Sequence, residues 1–212
     1  MILATHNSLS SYHPKKWWMA LLNPFAKCQS LSIEEQYAKG VRMFDIRVRP
    51  HTGEAAHGLV TYDVDVDKVL AWLDERAQSE PMPTENIYIR LCCENNNSEL
   101  SELSEWDDEW FRWYWKDCKS RYKHLTFCGG FMKKGWYKLI DVRDPEYLEL
   151  YRTFNVYKAK QGWKAKLKSI VEYICHPTPK YWAKKDNAEY IEEYEDYNGF
   201  IMLDFVEYGK EN

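Results

Sequence analysis

His6 lies in Thr5-His6-Asn7-Ser8, directly after a short apolar start, and His57 lies in Ala56-His57-Gly58. Between them the run from Gly40 to Val48 carries Asp45 and Arg47. Residues two apart on a strand share a face, so these two side chains point the same way. Two imidazoles, a guanidinium and a carboxylate are the parts needed to break a phosphodiester by acid–base chemistry. An imidazole titrates near about pH 6.5, so one can be neutral and its twin charged close to neutrality. Each such group contributes about 10²–10⁴-fold as a general acid or base. Arg47 presents fixed donors to phosphate oxygens and keeps its proton, so it can stabilise developing charge throughout. Asp45 is placed to hold either Arg47 or His57.

The elements that must position these groups follow from pattern. Residues 1–4 form a short apolar strand running straight into His6. Ser32 reads as an N-cap with Glu34 and Glu35 in the first turn, and Gly40 as a terminator, giving a helix over 32–39. That helix feeds a strand over 41–48. Helical spacing of Val66, Val69, Leu70 and Leu73 predicts a helix over 65–78. A β-rich run predicts a strand over 85–92, followed by a long acidic helix over 98–119 whose aromatics at 106–115 are expected to face the core. Shorter strands are expected at 124–128 and 137–142, and a helix at 162–175. A last strand is expected at 200–206. Alternating strands and helices imply parallel strands covered by helices. In such folds the active site is built at the C-terminal ends of the strands. His6, Asp45, Arg47, Arg90, Glu94, Asp141 and Asp204 all fall in or at the ends of these strands.

The whole chain sets outer limits. Its 212 residues are enough for a real core, and one domain over 1–212 is the expectation. The formal charge of -4 argues against a nucleic-acid partner. No run of eighteen apolar residues suggests a transmembrane segment. The first residues lack the pattern of a secretory signal, so a cytoplasmic location is expected, or a secreted one if Met1 replaces a removed signal. Six irregularly spaced cysteines, two of them adjacent at Cys92-Cys93, are expected to be buried thiols.

Four motifs in order, Thr5-His6-Asn7-Ser8, the run ending Phe44-Asp45-Ile46-Arg47-Val48, Ala56-His57-Gly58 and Ile201-Met202-Leu203-Asp204-Phe205, resemble the bacterial phosphatidylinositol-specific phospholipase C catalytic domain. The agreement covers roughly the first hundred residues and the last strand. The resemblance implies an α/β fold, a distorted and shortened TIM-type (β/α) barrel. It also implies cleavage of phosphatidylinositol to diacylglycerol and a cyclic inositol phosphate. In that scheme the residue matching His6 takes the proton of the inositol 2-hydroxyl. The one matching His57 protonates the leaving oxygen, Arg47 neutralises the phosphate, and Asp204 orients the base.

Other expectations attach to the same resemblance. Arg90, Glu94, Asp144 and Tyr147 are candidates for contact with the inositol ring. Asn7 is a candidate substrate contact and a departure from the metal-free bacterial pattern, which has Asp there. Calcium-dependent relatives carry Asn as a metal ligand but lack the arginine matching Arg47. A guanidinium where calcium would sit repels the ion, so no metal cofactor is expected, with calcium the runner-up. Lys15, Lys16, Trp17 and Trp18 form a candidate membrane interface, since tryptophan favours the interface and lysine favours anionic head groups. The substrate partner is then a phospholipid at a membrane surface. A non-catalytic lipid or phosphosugar binding module is the different-class alternative. A third reading is a phosphodiesterase for another substrate with a neighbouring hydroxyl.

Overall fold

The computed structural model describes residues 1–79, 86–94, 105–129, 145–150, 167, 170–172 and 174–209. Strands β1 (Ile2–Thr5), β2 (Val41–Val48), β5 (Tyr88–Cys93), β6 (Thr126–Cys128), β7 (Tyr147–Leu150) and β8 (Phe200–Leu203) form a parallel sheet in the order β6-β5-β2-β1-β8-β7. Two short strands, β3 (Ala56–His57) and β4 (Val60–Thr61), pair antiparallel as a hairpin that carries His57. Helices α1 (Asn23–Ala26), α2 (Ile33–Ala38), α3 (Val66–Ser79), α4 (Glu105–Arg121) and α5 (Pro179–Glu193) lie along the chain between them. The architecture is α/β, that of a distorted TIM-type barrel.

The alternation within β2 and β5 explains how a polar site stands inside an apolar shell. Phe44, Ile46 and Val48 join Ile87, Ile89, Leu91 and Cys93 in the core between sheet and helices. The intervening residues point to the other face. Met43 packs there with Ala4, Cys128, Phe200 and Met202, with Tyr88 and Tyr147 at the margin. Asp45 pairs in register with Arg90, and Arg47 with Cys92. The interior is therefore apolar at the strand starts and charged toward their ends. Each fully buried large aliphatic side chain contributes about 1.5–3 kcal/mol, and such side chains dominate the outer core.

Local signals act as their chemistry dictates. Ser32 caps α2 through a full capping box: its hydroxyl accepts from Glu35 N–H while the Glu35 carboxylate accepts from Ser32 N–H. On α4 the inner stripe is Phe111, Tyr114, Trp115 and Cys118, continued by Tyr122 just past its end, whereas Trp113 is exposed. The expectation of a core-facing aromatic series thus holds for one stripe and not for Trp113, which lies off it. The strand expected at 137–142 lies outside the described residues, as does the side chain of Trp106. Within the helix expected at 162–175, Leu167, Ile170, Val171 and Ile174 are exposed. Sequence patterning did not anticipate α1, the β3–β4 hairpin, β7 or α5, the last of which starts at Pro179. Proline at a first helical turn costs no hydrogen bond and presets the backbone angle. The six cysteines are thiols, five buried and Cys175 exposed.

Candidate active site

His6 follows the end of β1 and Asp204 the end of β8, and the two strands are direct neighbours. His6 Nδ1 lies 2.7 Å from Asp204 Oδ1, with both side chains buried. The carboxylate accepts from Nδ1, so the imidazole lone pair sits on Nε2. Gln29 ties the same two strand ends together. Its Nε2 donates to the carbonyls of His6 (3.1 Å) and Leu203 (2.9 Å), while its Oε1 accepts from Val206 N–H. Asn187 on α5 donates to the carbonyls of Asp204 and Phe205.

Asp45 is completely buried and serves three donors. Its Oδ2 accepts from Arg47 Nε at 2.8 Å and from Asn7 N–H at 3.0 Å; its Oδ1 accepts from Arg90 Nη1 at 2.8 Å. Burial alone would raise its pKa, but the two guanidiniums win and hold the carboxyl well below the usual carboxylate range. Burial likewise opposes the charge of Arg47, yet Asp45 and Glu94 keep it firmly protonated. Of the two roles open to Asp45 on sequence grounds, the structure assigns holding Arg47.

His57 stands on the hairpin across from His6, the two rings edge to face with centroids 5.5 Å apart. Its Nδ1 donates to the carbonyl of Ala26 at 2.6 Å and lies 3.7 Å from Cys28 Sγ. Burial first, then the charge of Arg47, lowers its pKa to about 3, so the ring is neutral in the ligand-free protein near neutrality. The next residue is clamped from two sides. Gly58 N–H donates to Glu94 Oε1 at 2.8 Å, and its carbonyl accepts from Arg49 Nη2. Glu94 Oε2 also faces Arg47 Nη1 at 3.5 Å. Gly58 has a positive φ of 56°, which glycine adopts without a side-chain clash.

The remaining candidates divide by place. Arg90 lies against the Tyr147 ring, its guanidinium carbon 5.6 Å from the centroid, so both belong to the interior cluster. Asp144 lies outside the described residues. Asn7 adopts a left-handed backbone with φ 43°, a conformation asparagine tolerates better than most residues. Its side-chain Oδ1 and Nδ2 are buried and unsatisfied, as is the Tyr62 hydroxyl. Native interiors rarely leave such groups unpaired. Lys15 is engaged in an ion pair with Glu54, while Lys16, Trp17 and Trp18 are exposed. Trp17, Leu21, Phe25 and Leu59 are exposed, Trp17 at 83% and Leu21 at 73%. An apolar depression of about 270 Å³, lined by Leu22, Phe25, Ala26, Leu59 and Val60, opens directly onto His57.

Cys28, Gln29, Ser10 and Asn187 were not anticipated from sequence. Ser10 Oγ donates to Asn7 O and accepts from the N–H groups of Cys28 and Gln29, which brings a distant loop to the site. Single polar residues in loops and helices carry no periodic signal. Gln36, a buried amide on α2, likewise donates to the carbonyls of Ser8 and Leu31.

Comparison with known proteins agrees with this geometry at the level of fold. No protein-family model and no curated protein matches the sequence. Among solved structures, phosphatidylinositol-specific phospholipase C from Listeria monocytogenes superposes with a TM-score of 0.59 at 16% identity, covering 99% of this chain and 93% of that one. The F249X mutant of phosphatidylinositol-specific phospholipase C from Staphylococcus aureus superposes with a TM-score of 0.57 at 15% identity, covering 96% and 85%. The chain therefore shares the fold of the bacterial phosphatidylinositol-specific phospholipases C.

Proposed function

We propose that this protein is a phosphodiesterase that cleaves phosphatidylinositol to diacylglycerol and inositol 1,2-cyclic phosphate. The observation that carries the reading is the pair His6 and His57. One ring is oriented by a carboxylate and the other by a carbonyl, and they face each other beside the buried Arg47. His6 Nε2 removes the proton of the inositol 2-hydroxyl. The hydroxyl oxygen forms a bond to phosphorus while the bond from phosphorus to the diacylglycerol oxygen breaks. His57 gives that leaving oxygen its proton. Arg47 stabilises charge on the phosphoryl oxygens, so no metal is needed for that role.

His57 must be protonated to act as the acid, and it is neutral in the ligand-free protein. An incoming phosphodiester supplies the missing negative charge. Its negative charge offsets the Arg47 charge that helps depress His57 and favours the imidazolium. The apolar depression next to His57 lies where the glycerol end of a lipid would leave. The exposed side chains of Trp17, Trp18, Leu21 and Phe25 suit contact with a bilayer, with Lys16 as the outward cation. Asn7, Arg90, Glu94 and Tyr147 are the proposed substrate contacts, Asn7 through its unsatisfied amide.

The test is incubation with phosphatidylinositol micelles in EDTA and, separately, in calcium, following cyclic inositol phosphate by phosphorus NMR. Turnover in EDTA is expected, abolished by His6→Ala and by His57→Ala. Turnover only with calcium would overturn the metal-free reading. No turnover in either would favour a binding module or another substrate.

A further inference from the structure

Cys28 is a buried nucleophilic, metal-seeking group beside His57 that the proposed reaction does not use. One donor atom from each of His6, Cys28 and His57 falls within 4.8 Å of the others. Cys28 Sγ is 3.7 Å from His57 Nδ1. A tetrahedral zinc ion with bonds of about 2.3 Å to sulfur and about 2.0 Å to nitrogen sets those donors roughly 3.6 Å apart. The sulfur–nitrogen edge is thus already at coordination spacing, and the longer edges close with donor shifts of about an ångström.

A ligating histidine normally gives its second ring N–H to a carboxylate or a carbonyl, which fixes the tautomer and orients the ring. His6 does so with Asp204, and ligation through its Nε2 keeps that bond. His57 would ligate through Nδ1, the nitrogen beside Cys28, giving up its bond to Ala26 and carrying its ring proton on Nε2. The Ser10 hydroxyl, accepting from Cys28 N–H, fixes the loop that presents the thiol. Two imidazoles and a thiolate select zinc-type cations over calcium or magnesium, which require oxygen ligands, and the thiolate together with Asp204 offsets the Arg47 charge that would repel an oxygen-ligated ion.

We propose that His6, Cys28 and His57 form a binding site for a zinc-type divalent cation, which occupies the catalytic histidines and switches the enzyme off. Binding displaces the thiol proton to solvent and forms one sulfur–metal and two nitrogen–metal bonds, with the fourth position open to water or a phosphate oxygen. No redox step is involved. The metal ties up the lone pair of the base, and its charge keeps the ring of the acid from taking up the second proton it must donate. The inhibitory part rests on the phosphodiesterase reading; the binding part does not.

Cobalt(II) tests the binding directly. The protein carries Cys175→Ser, which removes the exposed thiol as a competing ligand. Cobalt is expected to bind one per chain with the intense visible absorption of a tetrahedral ion and a thiolate-to-cobalt band in the near ultraviolet. Zinc should displace it. Cys28→Ser should remove the thiolate band, and Asp204→Asn should weaken affinity about 10–100-fold. Near-ultraviolet circular dichroism checks that each variant is folded. If Cys28→Ser does not fold, His57→Gln serves instead, with at least about tenfold weaker cobalt binding expected.

Turnover of phosphatidylinositol, compared with EDTA and with zinc, tests the switch. The EDTA-to-zinc rate ratio should fall at least about tenfold in Cys28→Ser whatever its basal rate. Absence of turnover in EDTA would overturn the metal-free reading on which the switch rests and leave the cobalt spectrum to decide the site. A weak octahedral spectrum without a thiolate band in the folded protein overturns the proposal.

Discussion

Asp204 holds the ring of His6 through a 2.7 Å hydrogen bond to Nδ1, although 198 residues separate them in the chain. The bond exists because β1 and β8 pair in parallel register, Thr5 opposite Leu203, so the residues after each strand emerge side by side. Asp204→Asn keeps the shape and inverts the favoured tautomer. It should lower kcat on phosphatidylinositol by about 10²-fold or more with little change in KM. Steady-state kinetics on the folded variant decides this; an unchanged kcat would remove Asp204 from the mechanism.

Proton uptake on ligand binding follows from His57. Its pKa of about 3 in the ligand-free protein must rise when an anion neutralises Arg47. Binding of inositol phosphate at pH 5–6 should therefore take up a proton. Calorimetry in two buffers of different ionisation enthalpy measures it, a net uptake being expected. His57→Gln should abolish the uptake. A buffer-independent enthalpy for the wild-type chain would argue against His57 as the acid.

The same group makes stability depend on pH with a definite sign. The folded pKa of about 3 lies below the unfolded value near 6.5, so between these the unfolded chain binds the extra proton. The neutral ring's contribution is fully present above about pH 6.5 and is lost as the pH falls toward 3. His57→Gln should flatten urea-unfolding free energy against pH across that window. Asp45, held below the carboxylate range, adds its own loss only below about pH 4.

Removing the charge of Asp45 should be costly to the fold itself. Arg47 and Arg90 would both remain buried beside a neutral amide. Asp45→Asn should destabilise by about 3–5 kcal/mol, the cost typical of breaking a buried pair by removing one partner. Arg47→Lys keeps the charge but loses the forked donors, and kcat/KM should drop about 10²–10³-fold at modest cost in stability. Urea melts and kinetics on the two variants separate the roles.

The exposed side chains of Trp17 and Leu21 should bind membranes independently of chemistry. Trp17→Ala with Leu21→Ala should weaken binding to phosphatidylinositol-containing vesicles about tenfold or more, since two apolar side chains leave the interface. Cleavage of a soluble inositol phosphodiester should be spared. Vesicle sedimentation with equal binding by both proteins would remove this surface from consideration.

Much of this was legible in the sequence because it is local. The alternation of Met43, Asp45 and Arg47 with Phe44, Ile46 and Val48 needs only the two-residue period of a strand. The Ser32 cap needs only the next turn of α2. His6, Arg47 and His57 could be singled out because imidazole and guanidinium in that order have few bland uses. The sequence alone thus determined the strand–helix alternation, the charged strand ends and the residue types available for proton transfer. Tertiary structure decided which of these groups meet: Asp45 with Arg47 and Arg90, Glu94 with Gly58, and Cys28 with His57. Those choices depend on parallel pairing between strands far apart in the chain and on loops pinned by single polar residues. Neither leaves a periodic trace in the order of amino acids.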